Sequence, residues 1–199
     1  MRLKQRFNVL SWNQVYELLI ELAERVEESG FSPNIIVGIS RGGLVPSRIL
    51  SDLLDNPELA IIRVRSYLDL TEKMEEPIVT QPVSAPVEGK SVLIVDDVAD
   101  TGESLRLVYE RLRGKAKETG TLTMYYKPWS CLKPDFYAME TRSWIVFPWE
   151  LHETVKRLGG KIIEGGGTLE GVKAELIRTG LAPSIVERFV GELWEKERR

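Results

Sequence analysis

The stretch Ser91 to Ser104, Ser-Val-Leu-Ile-Val-Asp-Asp-Val-Ala-Asp-Thr-Gly-Glu-Ser, constrains this chain more than any other. Val92 to Val95 is apolar, largely β-branched and without polar alternation, the pattern of a central parallel strand covered on both faces. That pattern predicts an α/β sheet whose strand ends open on a crevice, where sheets of this class place their ligands. Asp96 and Asp97 stand at that end, and Asp100-Thr101-Gly102-Glu103-Ser104 leads into a helical stretch from Leu105 to Leu112. A helix N-terminus beside a glycine presents unpaired N–H groups to an anion. Carboxylates before the turn and an anion seat after it suit a sugar phosphate, whose hydroxyls donate to the acids while its phosphate accepts from backbone N–H.

With 199 residues, 43% of them hydrophobic, the chain has material for one large domain and a small appendage. A net charge of −3 and a pI near 5.5 argue against non-specific nucleic-acid binding, which rests on clustered Lys and Arg. One cysteine, Cys131, cannot form an intramolecular disulfide, and no apolar run approaches the roughly 20 residues of a membrane span. Met1 to Arg6 lacks the apolar segment of a signal peptide. The expectation is a cytoplasmic protein that acts on small molecules, with no nucleic acid and no membrane as partner. His152, the sole histidine, reads as structural or exposed, and one His with one Cys makes no metal site.

In chain order, Ser11 with Gln14 forms a capping-box pattern, and Val15, Leu18, Leu19, Leu22 and Val26 recur at helical spacing until Gly30. Asn34 to Ile39 reads as a buried strand, followed by Ser40-Arg41-Gly42-Gly43 and a helix from Leu44 to Leu54. Strand, glycine loop and helix make an anion-binding arrangement, here with an Arg in the loop. Ile61 to Val64 reads as a strand leading to Arg65-Ser66-Tyr67. Leu68 to Pro82 is polar and proline-interrupted, as a lid would be, and Val83 to Val87 resumes strand character. Thr121 to Tyr126 predicts a further strand, then Lys127-Pro128, a loop through Cys131 and Pro134, and Trp144-Ile145-Val146-Phe147-Pro148-Trp149-Glu150 before a helix through Leu158. A glycine cluster over 165–168 closes the core, and helices follow over 169–179 and 183–196. Their segment, 165–199, carries six basic and six acidic residues, which leaves no electrostatic footprint for DNA and suggests packing on the core or on a partner subunit.

The run from Ser91 to Ser104 resembles the signature of type I phosphoribosyltransferases, which bind 5-phosphoribosyl 1-pyrophosphate (PRPP), and the resemblance covers about residues 8 to 158. It implies a parallel sheet flanked by helices, with a hood, here followed by a small C-terminal helical extension. The expected division is a core with hood over 1–164, the hood mainly 127–150 plus N-terminal residues, and an extension over 165–199. By this resemblance Asp96 and Asp97 hold the ribose hydroxyls and, mostly through water and PRPP, a Mg²⁺ ion. Asp100, Thr101, Gly102, Glu103 (by its N–H) and Ser104 surround the 5′-phosphate, and Asp100 also handles the proton on a purine N7. Ser40 to Gly43 is similar to the family's pyrophosphate loop, in which the peptide after the first residue is often cis, so a cis Ser40–Arg41 bond is expected. Ser66 and Tyr67 stand where a Ser-Tyr pair opens the flexible loop of some 6-oxopurine members. Lys127-Pro128, Trp144-Ile145 and Pro148-Trp149-Glu150 resemble the hood of bacterial xanthine-guanine phosphoribosyltransferases. That likeness implies Lys127 as donor to a purine O6, Trp144 stacked on the base, Ile145 offering backbone contacts and Glu150 near the amino-side edge.

The activity so implied is purine salvage, a nucleobase and PRPP giving a nucleoside 5′-monophosphate and pyrophosphate, with a 6-oxopurine favoured; members commonly pair as homodimers. Two other readings stay open on the sequence alone. One is adenine phosphoribosyltransferase; the other is a PRPP-binding regulator without catalysis, against which the acidic pI and neutral tail count.

Overall fold

The computed structural model describes residues 3, 5–55, 58–65 and 76–197. In chain order the elements are β1 (Phe7–Val9), α1 (Trp12–Glu28), β2 (Ile35–Ser40), α2 (Leu44–Leu53), β3 (Leu59–Arg65), β4 (Ile78–Gln81) and β5 (Ser91–Ala99). These are followed by α3 (Glu103–Leu112), β6 (Glu118–Tyr126), β7 (Phe136–Glu140), β8 (Trp144–Val146), α4 (Leu151–Glu164), α5 (Leu169–Arg178) and α6 (Pro183–Glu197). They fall into two compact units, Tyr16–Thr141 and Met1–Val15 with Arg142–Arg199.

The capping box forms as its residue types require. The Ser11 backbone N–H donates to the Gln14 side chain at 2.9 Å, the Gln14 N–H donates to Ser11 Oγ at 3.3 Å, and α1 then buries Val15, Leu19, Leu22 and Val26.

In the first unit a six-stranded sheet runs in the order β4-β3-β2-β5-β6-β7. All neighbours are parallel except the edge pair β3–β4. Ile35, Val37, Val92 and Ile94 are wholly buried, as unbroken apolar runs in a two-faced sheet must be. From β2 the chain moves outward to β3 and β4, then returns to lay β5 on the other side of β2 and continues to β6 and β7. The reversal therefore lies between β2 and β5, and the loops leaving those two strands are the ones a doubly wound sheet offers to a ligand.

Several expectations are corrected. Asp96 and Asp97 do not end their strand, because β5 continues to Ala99, paired with β6 through Val98↔Tyr125 and Ala99↔Tyr126. Val83 to Val87 is not a strand. The strand is Ile78–Gln81, which pairs antiparallel with β3, whereas Pro82 precedes and Pro86 interrupts the other segment, and neither has the N–H a ladder needs. The expected lid is thus shortened at its C-terminal side, and Ser66 and Tyr67 lie outside the described residues. The loop expected through Cys131 and Pro134 is followed by an unexpected strand, β7, and the helix expected to end near Leu158 extends to Glu164.

In the second unit β1 pairs parallel with β8 in the register Phe7↔Trp144, Asn8↔Ile145, Val9↔Val146. α4, α5 and α6 bury Val155, Ile162, Val172, Leu176, Val186 and Val190 against one another and Val146. Gly159 makes that packing possible, since a Cβ there would lie 2.8 Å from Leu193 Cδ2. Thr168 caps α5, its hydroxyl accepting from the Gly171 N–H at 3.2 Å. Most of the large apolar residues of the C-terminal helices are therefore spent on packing, whereas Ile177 stays exposed. His152 is exposed on α4, its ring centroid 4.6 Å from that of Phe189 and its Nε2 3.7 Å from Glu192.

Candidate active site

The loop after β2 turns on the peptide Ser40–Arg41, which is cis. Gly43 donates to the Ile39 carbonyl at 2.8 Å and accepts from the Ser47 N–H at 3.0 Å, so the loop passes straight into α2. Gly42 and Gly43 have no room for side chains. A Cβ on Gly42 would lie 2.5 Å from the Asp97 carboxyl carbon, and one on Gly43 would collide with the Val95 carbonyl and lie 2.8 Å from the Ile39 nitrogen. The two glycines bring the Ser40–Gly43 loop directly against the acids of β5. Arg41 is exposed, and Asp97 is 9% exposed.

Asp96 and Asp97 are held by their own strand as well as by this contact. The Asp97 N–H donates to Asp96 Oδ1 at 3.0 Å, and the Val98 N–H donates to Asp97 Oδ1 at 2.7 Å. Burial, and then the neighbouring Asp97 charge, raise the Asp96 carboxyl well above the usual carboxylate range, against the pull of the Asp97 and Gly43 N–H groups. A cation placed here would relieve both penalties. Among the described residues no three Asp, Glu, His or Cys side chains gather into a metal cage. Two hard carboxylate oxygens with no further protein ligands fit Mg²⁺, which keeps most of its waters and takes other ligands from a bound phosphate.

Past Ala99, Asp100 to Gly102 forms the tight connection to α3. Gly102 adopts φ +77°, in the left-handed region, at the N-cap of that helix, and a Cβ there would run into Ser130 Oγ and lie 2.9 Å from the Leu132 nitrogen. The Glu103 N–H donates to Thr101 Oγ1 at 3.4 Å, and Glu103 and Ser104 form the first turn of α3, both half-buried. The ten-residue helix α3 aims its first N–H groups at this loop.

Lys127 follows β6 and is 4% exposed. Its N–H donates to the Ala99 carbonyl at 2.9 Å. Burial lowers its ammonium below the ordinary lysine range, with Asp100 acting in the opposite sense. Trp129, which the sequence reading passed over, donates its indole N–H to Asp100 Oδ1 at 3.1 Å. No pattern in the sequence marks a lone Trp in a turn as the partner of an acid some thirty residues earlier.

The other expected base-contacting residues belong to the second unit. Arg157 stands over the Trp144 ring at 4.1 Å, and the Trp144 indole N–H is buried with no hydrogen-bond partner among the described residues. Ile145 is buried in register with Asn8, and Glu150, at the N-cap position of α4, accepts from the Phe147 N–H at 3.2 Å.

A mostly parallel sheet, a glycine loop pressed on an acid pair at its switch point, and a second loop opening a helix define an α/β fold of the type I phosphoribosyltransferase class. The chain belongs to the phosphoribosyl transferase domain family, which matches residues 7–155. It is similar to the xanthine-guanine phosphoribosyltransferase of Idiomarina loihiensis, 37% identical over 145 residues that cover 72% of this chain and 86% of that protein. Among solved structures it resembles the purine phosphoribosyltransferase from Pyrococcus horikoshii Ot3, with 40% identity, a TM-score of 0.64 and coverage of 72% of this chain and 93% of that one. It also resembles the xanthine-guanine-hypoxanthine phosphoribosyltransferase of Helicobacter pylori, with 26% identity, a TM-score of 0.65 and coverage of 75% and 97%. The family match ends before α5 and α6.

Proposed function

We propose that this phosphoribosyltransferase joins a 6-oxopurine (guanine, xanthine or hypoxanthine) to PRPP, giving the nucleoside 5′-monophosphate and pyrophosphate. The observation that carries the reading is the convergence of the Ser40–Gly43 loop, the Asp96–Asp97 pair and the Asp100–Ser104 loop at one sheet switch point, with the buried Lys127 beside Asp100.

In this reading Ser40, Arg41, Gly42 and Gly43 hold the pyrophosphate, and Asp96 and Asp97 accept from the ribose hydroxyls. Thr101, Gly102, Ser104 and the Glu103 N–H hold the 5′-phosphate. Asp96 and Asp97 would hold a Mg²⁺ ion together with PRPP, and the ion would supply charge neutralisation for the leaving pyrophosphate. The purine N9 forms its bond to the anomeric carbon as the bond to pyrophosphate breaks, and the N7 proton passes to the Asp100 carboxylate. The developing oxocarbenium character calls for positioning and charge stabilisation rather than a protein nucleophile. The Lys127 ammonium donates to O6, which an amino group at that position would not accept. By the likeness to bacterial xanthine-guanine phosphoribosyltransferases, Trp144 is assigned stacking on the base, Ile145 backbone contact and Glu150 the amino-side edge. The protein acts in the cytoplasm as a homodimer.

Pyrophosphate release, measured with PRPP and Mg²⁺ and one base at a time, tests the reading. Turnover is expected with at least one of guanine, xanthine and hypoxanthine and not with adenine. Turnover with adenine alone would overturn the role of Lys127, and no turnover with any of the four bases would overturn the purine assignment.

A further inference from the structure

The turn that carries Trp129 is docked on the chain around Asp100. Lys127 N–H donates to the Ala99 carbonyl at 2.9 Å, Cys131 N–H donates to the Thr101 carbonyl at 2.8 Å, and Ser130 N–H closes the turn on the Lys127 carbonyl at 2.9 Å. Between these anchors the Trp129 indole, 52% exposed, reaches Asp100 Oδ1, while the Lys127 ammonium stands 5.8 Å from the centre of its ring. One side chain thus touches the two groups assigned above to purine N7 and O6. Those atoms are neighbours on a single edge of the base, so their readers must keep a fixed spacing.

We propose that Trp129 is a positioning residue that sets the orientation of the Asp100 carboxylate and seats the Lys127 ammonium, so that N7 and O6 are read in register. The inference rests on the function proposed above. The terminal torsion of an Asp is broad and two-fold, and a single charge-assisted donor on Oδ1 narrows it, holding the other oxygen in one direction for the N7 proton. The ring keeps the buried ammonium near an aromatic quadrupole. Two separable effects follow, one from the N–H and one from the ring.

Trp129→Phe keeps the ring and deletes the donor. It is expected to lower kcat about 10-fold while KM for PRPP and for the base stays within about twofold. Trp129→Ala removes both, and is expected to add a rise of about 3- to 10-fold in KM for the base. In an Asp100→Asn background, itself expected to lose roughly 10² to 10⁴ in kcat, Trp129→Phe should have no further effect, because the group it orients no longer takes the proton. A general disturbance of the turn would multiply through instead. Wild-type kinetics for Trp129→Phe beside a crippled Asp100→Asn would overturn this inference alone, as would an undiminished Trp129→Phe effect in the Asp100→Asn background. Wild-type kcat in Asp100→Asn would overturn the proton-acceptor role of Asp100 and this inference with it.

Discussion

Gly42 shows how narrowly single residues are set at the sheet's switch point. The space its side chain would fill is taken by the Asp97 carboxyl, whose carbon would lie 2.5 Å from an added Cβ, while the next residue, Gly43, is closed in by the backbone of Ile39. At Gly43 no rotamer change gives relief, and at Gly42 the Asp97 carboxyl itself must yield, although it is tied to the Val98 N–H and is 9% exposed. Gly42→Ala should therefore push the Asp97 carboxylate out of place and leave the sheet intact. A displacement of this size at a positioning group is worth roughly 10²-fold in kcat/KM for PRPP. Steady-state kinetics with varied PRPP would register it, and wild-type values would mean that Asp97 does not hold the sugar. The pattern Arg-Gly-Gly after a strand was readable as an anion loop. Its pairing with Asp97 was not, since the two lie more than fifty residues apart and only the β2–β5 adjacency joins them.

At the scale of elements, those that carry their own periodicity were legible: α1 with its capping box, β2 and the start of β5 as unbroken apolar runs, and α5 and α6 with their capping Thr168 and intervening Gly180. The elements missed are edges. β4 and β7 close the two sides of the sheet and alternate weakly, because each is covered incompletely, so their sequences carry no strong period. β7 is instead fixed by cross-strand chemistry. The Tyr126 hydroxyl on β6 donates to Glu140 Oε2 on β7 at 2.5 Å, opposite it in the register, and that bond, with burial, pushes the phenol up to about 12. A phenol that keeps its proton more firmly in the folded state than in the unfolded one stabilises the fold fully below pH 10. That contribution is lost as pH rises from 10 through about 12. Urea unfolding at pH 9 and pH 11.5 should show Tyr126→Phe losing less stability over that interval than the wild type. Equal losses would mean that the Tyr126–Glu140 bond does not persist in solution.

For the whole molecule the decisive quantity is how the charge of the substrate is met. The chain is acidic, at −3, and its C-terminal segment 165–199, outside the family match, adds no net charge, so net charge supplies no general attraction for a polyanion. In the function proposed, recognition of PRPP falls to loop N–H groups, the helix α3 terminus, Arg41 and a divalent ion, each of which acts at contact distance. In that proposal the ion would have only the Asp96–Asp97 carboxylates to hold it from the protein, since among the described residues no three acid, His or Cys side chains gather into a metal site. Metal and substrate should therefore bind as a pair. Because a ligand stabilises the native state by RT ln(1 + [L]/Kd), about 2.7 kcal/mol at a hundredfold excess over Kd, the pairing is visible as a shift in Tm. Millimolar Mg²⁺ alone should leave Tm nearly unchanged, PRPP with EDTA should raise it slightly, and PRPP with Mg²⁺ should raise it by several degrees. A full shift from Mg²⁺ alone would place a complete metal cage in the protein, and a full shift from PRPP with EDTA would remove the ion from substrate recognition. Either result would break the argument that two carboxylates at a switch point suffice only because the substrate brings the remaining ligands.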